Sequence, residues 1–335
     1  MQITQVLFSD IDEVKTETVD QAWRALDPTE VRIAPAFFGI CGSDLHVLHG
    51  HHPFARPPLV PGHEIAARVL EVGSAVTGIR AGDHVVVDPI MACMACRACK
   101  AGQFNHCEPP QVAGFRAPGF ARSQHIVPAR NCHVAPASIP LKVLAFAEPA
   151  ACARHCVSRM PARSLEDVLV IGAGTIGLSI VQALRIMGAG DVTVVEPDAA
   201  KRALAVRLGA ARAFAPGELP ESLRFSGVID VVAAQPTLNE AFQRVYAGGT
   251  VMCMGVPGGA REIPLPMMQR FERDLLSSGM YIPEDFDEVI TWLADGRFDT
   301  RELISDLFPV SEADKAFVRA QQNDSIKVLL QFADA

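Results

Sequence analysis

No apolar run in this chain reaches the ~18 residues that a membrane-spanning helix needs, so no membrane partner is expected. Positive charge is also in short supply. With 38 acidic residues against 30 basic ones the formal net charge is −8, and a chain of that sign has little to offer a polyanion, which argues against nucleic-acid binding. The opening residues, MQITQVLFSDIDEVK, lack the basic start and apolar centre of a secretory signal, and the expected location is the cytoplasm. Disulfides are rare there, so the nine cysteines read as metal ligands or thiols rather than cross-links. What is present is a chain of 335 residues, 49% hydrophobic and 20% charged, long enough for two separate cores.

The most informative stretch is Asp167 to Asp198, DVLVIGAGTIGLSIVQALRIMGAGDVTVVEPD. An apolar run over Val168 to Ile171 leads into Gly172-Ala-Gly174-Thr175-Ile176-Gly177. Apolar residues at helical spacing follow, then a second β-branched run, Val192 to Val195, closed by Glu196. This is strand, tight turn, helix and strand, the context in which G-x-G-x-x-G reads as a dinucleotide fingerprint. Gly172 permits the turn, Gly174 lets the backbone approach a pyrophosphate, and Gly177 lets helix pack on strand. The free N–H groups at the helix start, around Thr175 and Ile176, complete the cradle. Glu196 accepts hydrogen bonds from ribose hydroxyls and repels a 2′-phosphate, so NAD is expected over NADP, although Lys201 and Arg202 soften that exclusion.

Two cysteine patterns carry metal chemistry. Cys93-x-x-Cys96-x-x-Cys99, followed after seven residues by Cys107, offers four thiolates in a loop with no periodicity, enough to close a tetrahedron around a structural zinc. A redox pair needs neither the third nor the fourth cysteine, and the bacterial iron–sulfur run has a proline after its last cysteine where Glu108 stands here. The other pattern is dispersed. Cys41-Gly42-Ser43-Asp44-Leu45-His46 and Pro61-Gly62-His63-Glu64 are ordinary when taken singly. Together they supply a thiolate, an imidazole and a carboxylate, the mixed donor set that zinc accepts.

The segments GICGSDLH, VPGHEIAARVLEVGSAV, GDHVVV, the four-cysteine lobe, EPAACARH and GAGTIGL, in that order, resemble the zinc-dependent medium-chain alcohol and polyol dehydrogenases, with the sorbitol and threonine dehydrogenases as the most similar subgroup. The resemblance implies an α/β chain with a GroES-like, mostly β catalytic domain and a Rossmann doubly wound cofactor domain. It also implies a catalytic zinc held by Cys41, His63 and Glu64, with Glu148 of EPAACARH as a second acidic residue beside it, and a structural zinc at Cys93, Cys96, Cys99 and Cys107. Ser43 resembles the hydroxyl that takes the substrate proton, His46 the imidazole that passes it outward, and Asp44 the carboxylate that orients His63. Homodimers or homotetramers are implied too, through the strands around Met252 to Met254 and Leu275 to Tyr281. Arg122 and Ser123 stand where relatives carry an acidic and an aromatic residue, which puts small-polyol specificity in doubt.

Elsewhere, residues 1–29 read as an edge hairpin, Glu30 to Ala34 as a strand that Pro35 either ends or confines to a sheet edge, and His49, His51 and His52 as a solvated loop, with the rim of a substrate entrance as the alternative. Gly227 to Val232 and Gly249 to Gly255 read as buried parallel strands, and Glu284 to Ala294 as an amphipathic helix. The expected domains are 1–153 with 297–335 for zinc and catalysis, and 154–296 for the dinucleotide. The expected activity is NAD-linked oxidation of a secondary alcohol of polyol, sugar or amino-alcohol type, or the reverse. The alternatives are an NADPH-dependent carbonyl reductase of the same fold and a non-catalytic cofactor-binding relative.

Overall fold

Alternating burial along Gln2–Asp10 folds that strand back antiparallel on Glu13–Asp20, the hairpin that the sequence predicts at the N-terminus. The computed structural model describes residues 1–108 and 111–332, so the last three positions of the expected 297–335 segment lie outside the described residues. Two units form. One comprises Met1–Glu148, Ile282–Gly296 and the chain from Leu303 onward; the other comprises Pro149–Tyr281 with Arg297–Glu302.

In the first unit the strand Glu30–Gly39 is central. One edge pairs along its length with Glu64–Val72, and the other is shared by His125–Pro128 and Lys327–Gln331. The sheet extends through His84–Val87 to Cys132–Ala135 on one side and to Ile304–Pro309 on the other. Both expectations for Pro35 are corrected, because the strand runs through it to Gly39 and is paired on both sides. Pairing with Glu64–Val72 shifts register between Pro35 and Phe37. On the other edge Pro35 falls between Glu30–Ile33 and Phe37–Gly39, the two paired segments, so no ladder bond is asked of its missing N–H. Phe8, Phe38, Phe120, Phe317 and Phe332 fill the core, with Phe8 edge-on to Phe317 at 5.0 Å.

The second unit holds a six-stranded parallel sheet in the spatial order Arg212–Phe214, Asp191–Val195, Asp167–Ile171, Phe225–Asp230, Val245–Cys253, Asp274–Ser277. In chain order this is 3-2-1-4-5-6, the doubly wound arrangement whose ligand crevice opens where the winding reverses. That point lies beyond Ile171, at the glycine turn. No long helix intervenes between Leu208 and Phe225, a stretch that holds Pro216 and Pro220.

The domain boundary differs from the expected 154–296. The helix Pro283–Ala294 belongs to the first unit, because Phe286 stacks on His133 at 4.7 Å and Asp287 accepts a 2.9 Å hydrogen bond from His133 Nδ1. Residues 297–302 belong to the second unit, where Gln182 and Asp299 exchange hydrogen bonds of 3.0 and 2.7 Å.

Candidate functional site

Cys41 caps the helix Gly42–Leu48, and the Asp44 carboxylate on its first turn accepts a 2.9 Å hydrogen bond from the Cys41 N–H. The same carboxylate reaches toward His63, with Asp44 Oδ1 3.4 Å from His63 Nδ1 and both side chains buried. Neither atom has a hydrogen-bond partner, and the Asp44 charge is the largest favourable influence on the His63 ring. With Nδ1–H facing Asp44, the Nε2 lone pair is left for a metal. His63 itself is set by the turn before it: Gly119 N, Phe120 N and Ala121 N donate to Val60, Gly62 and Pro61 carbonyls at 2.9, 2.9 and 3.0 Å. The segment Gly119 to Ala121 is therefore a clamp on the histidine turn.

Ligand atoms of Cys41, His63 and Glu64 lie within 4.8 Å of one another, and Ser43 Oγ is 3.4 Å from His63 Nε2. Burial alone would push the His63 imidazole down; the Asp44 charge and hydrogen bond, with Cys41 adding to them, outweigh it and hold the ring well above its ordinary value. Such an anionic, buried pocket is a fit for a divalent cation. Glu148 is not among the three grouped atoms. It is buried near the start of the helix Ala147–Ser158, close enough for its charge to act on Lys327 and Asp88. His46 is exposed on the same helix as Ser43.

The four-cysteine lobe also comes together, every sulfur within 4.8 Å of the others. Cys93 Sγ and Cys99 Sγ are 3.9 Å apart, close to the edge of a tetrahedron built on bonds of ~2.3 Å and far too long for a disulfide. Backbone N–H groups of Cys93, Cys96 and Cys99 donate to the sulfurs of Cys107, Cys93 and Cys96 at 3.3, 3.4 and 3.4 Å. These bonds favour thiolates: the Cys96 thiol is brought down to about 6 by the N–H groups of Cys99 and Glu108. The donor set fits a closed zinc site.

In the other unit Gly172 turns with φ +99° and Gly174 caps the helix Thr175–Ile186. A Cβ on Gly174 would meet nothing within 4 Å, whereas one on Gly177 would fall 2.0 Å from the Gly172 carbonyl oxygen. Glu196, buried at the end of its strand, accepts from the N–H groups of Ala173 at 2.8 Å and Asp198 at 2.9 Å. A pyrophosphate and ribose fit these features: open space over Gly174 at the start of a helix, and a carboxylate with lone pairs to spare.

His52 is stacked on Phe115 at 4.7 Å, and Phe115 packs on His63 at 5.0 Å, so His52 is joined to the candidate site through one aromatic ring while His51 stays exposed. A period-free loop gave no pattern from which to read that. Arg122 is half-buried between a cleft lined by Trp23 and His125 and one lined by Leu59 and Phe115, its Nε without a partner.

Comparison with known proteins agrees with this geometry. The alcohol dehydrogenase GroES-like domain matches residues 27–137 and the zinc-binding dehydrogenase domain residues 175–295. A probable D-xylulose reductase A of Aspergillus fumigatus is 30% identical over 325 residues, covering 91% of this chain and 90% of the relative. Two solved structures superpose with TM-scores of 0.90 at 27% identity, each covering 99% of both chains. They are a zinc-binding dehydrogenase from Sinorhizobium meliloti 1021 bound to NADP and an alcohol dehydrogenase from Escherichia coli CFT073 complexed with NADH. The chain belongs to the zinc-binding dehydrogenases. It is accordingly an oxidoreductase of the two-domain, GroES-like and Rossmann type. Among the described residues no helix is long and apolar enough to cross a membrane.

Proposed function

We propose that this chain moves hydride between NAD and a secondary alcohol of polyol, sugar or amino-alcohol type, using one catalytic and one structural zinc. The observation that carries the reading is the convergence of Cys41, His63 and Glu64 within 4.8 Å, beside a serine hydroxyl 3.4 Å from His63 Nε2. Zinc held there supplies Lewis acidity, which brings the pKa of an alcohol toward neutrality. Ser43 receives the substrate proton, and exposed His46 releases it to solvent. Glu64 and Glu148 are the two carboxylates available to complete the ligand set. Cys93, Cys96, Cys99 and Cys107 hold the structural ion.

The unit of Pro149–Tyr281 takes the dinucleotide, with Gly172, Gly174, Thr175, Ile176 and Gly177 around the pyrophosphate and Glu196 on the ribose. Arg202 supports NAD over NADP, because its Nη1 donates to the carbonyls of Glu196 and Pro197 at 2.8 and 2.6 Å and is thereby engaged by backbone. An NADPH-dependent carbonyl reductase is the second reading, favoured by the NADP held in one similar structure. Fluorescence titration separates the two, with tighter NADH than NADPH expected. The assembly proposed is a dimer or tetramer of identical chains.

The test combines metal analysis with a nicotinamide absorbance assay on a panel of polyols and sugar alcohols. About two zinc ions per chain with turnover is the expected result. Cys41→Ser should remove one ion and the turnover while leaving NADH affinity intact; one zinc in the unaltered protein and no turnover on any alcohol would overturn the reading.

A further inference from the structure

Arg122 carries a charge that its surroundings leave unanswered. It stands opposite Gln5 in an antiparallel bridge. Its neighbour anchors it there, since Ser123 N donates to the Thr4 carbonyl at 2.8 Å and Ser123 Oγ accepts from Thr4 N at 3.1 Å. The side chain is half-buried, and its Nε is buried without a hydrogen-bond partner. Burial pushes the guanidinium down, with no carboxylate acting against that shift. The other two arginines at this corner are neutralised. Arg24 donates to both oxygens of Glu30 at 2.7 Å, and Arg32 pairs with Glu71 at 2.7 Å.

The lone guanidinium borders a cleft of about 380 Å³, lined also by Gln21, Trp23, Arg24, His125 and Ile126. None of the lining side chains is acidic. The sheet register places the aromatic wall: Arg32 lies opposite Ile126, and its guanidinium carbon sits 5.5 Å over the Trp23 ring. The Trp23 indole Nε1 is buried and, like Arg122 Nε, has no partner. Both groups donate and neither accepts. Two orphaned donors, one of them charged, therefore share one wall, where a fold normally supplies an acceptor. Arg122 also borders a second cleft, beside Leu59, Phe115 and Arg116. Its own Nε is the one orphaned donor there, and the Arg116 guanidinium is stacked over Phe54 at 5.2 Å.

We propose that the cleft beside Trp23 binds a small oxyanion, the phosphate or carboxylate group of a metabolite, held by the Arg122 guanidinium and the Trp23 N–H. Water satisfies a donor but leaves the charge unanswered; an oxyanion answers both. A planar guanidinium meets two oxygens of either group at once, and the cleft has the volume of a small-molecule site rather than of a bare ion. The inference stands apart from the hydride chemistry, because no residue of the metal or glycine sites takes part.

Calorimetric titration of the zinc-loaded protein tests it, with inorganic phosphate and malonate as probes and chloride balancing the ionic strength. The two probes separate a phosphate source from a carboxylate source. Excess NADH keeps the glycine turn occupied. Saturable binding of at least one probe is expected, weakened about tenfold or more by Arg122→Gln and about fivefold by Trp23→Phe, which keeps the ring and removes the N–H. Arg116→Gln, in the second cleft, and Cys41→Ser, at the metal centre, should bind as the unaltered protein does. The probe should also raise the melting temperature of the unaltered protein and not that of Arg122→Gln. If Arg122→Gln fails to fold, Trp23→Phe carries the test alone. Absence of binding by both probes would overturn the proposal, as would binding untouched by Arg122→Gln and Trp23→Phe, or binding that follows Arg116 or Cys41 instead.

Discussion

Asp44 makes a prediction at the scale of a single side chain. Its carboxylate spans the Cys41 N–H and His63 Nδ1, at 2.9 and 3.4 Å, and thereby orients two ligands at once. Asp44→Asn keeps the shape and removes the charge, so metal affinity at that site should fall by roughly 10- to 100-fold, read by competition with a chelator, while the four-cysteine site is unaffected. A second residue governs acid stability. Burial, with Arg122 adding to it, pushes the His125 imidazole down to about 4, below the ~6.5 of an unfolded chain. Between those values the unfolded state binds a proton that the folded state refuses, so this group's contribution is present at neutral pH and is lost as the pH falls. The effect is at most about 3 kcal/mol. His125→Phe, which retains a ring against Phe120 (5.2 Å in the native contact), should lose less stability than the unaltered protein when denaturant melts at neutral pH are compared with melts at about pH 5. Equal losses would remove His125 as the cause.

At the scale of elements, the glycine turn gives a paired prediction whose two arms move apart. A methyl at Gly177 meets the Gly172 carbonyl oxygen at 2.0 Å, so Gly177→Ala must push the helix Thr175–Ile186 off its strand and cost about 1–3 kcal/mol, visible as a lower melting temperature without ligand. At Gly174 the methyl meets nothing within 4 Å and φ is −72°, a value any residue adopts. Gly174→Ala should therefore melt normally and lose NADH affinity, because the methyl occupies the space over which a pyrophosphate would lie. If both variants melt and bind alike, the assignment of distinct tasks to the two glycines is wrong. These tasks were legible in the sequence because a dinucleotide turn is local: strand, glycines and helix are contiguous. The zinc donors were legible for a different reason, the rarity of their chemistry. The pairing of Lys327 with Glu64 was not, since the two lie 263 positions apart and a lysine in a strand suggests a solvated edge. The run of Glu30–Gly39 through Pro35 was hidden for a related reason, because the gap that tolerates proline is made by two strands far along the chain. The helix Ala313–Ala320, which buries Ala313, Ala316 and Phe317, went unread between strands although its apolar spacing is helical.

At the scale of the whole molecule the open question is self-association, and the second unit supplies the argument. Its strand Asp274–Ser277 pairs only with Val245–Cys253 and ends the sheet, leaving a row of backbone donors and acceptors on its far side among the described residues. An open edge of that kind is normally covered, charged or bent away. Here the chain between the last two strands carries exposed apolar side chains instead, with Val256 at 67% exposure and Leu265 at 62%, alongside Met267, and Tyr246 of the strand Val245–Cys253 is exposed as well. An open edge accompanied by exposed apolar residues suits an isologous contact in which the same patch meets itself across a two-fold axis. Light scattering should accordingly return a mass that is a multiple of the single chain. Val256→Asp combined with Leu265→Asp places like charges opposite each other at such a contact and should shift the mass toward one chain, with the melting temperature of the metal-bound first unit little changed. A single-chain mass for the unaltered protein would rule the contact out, and the exposed residues would then need another partner.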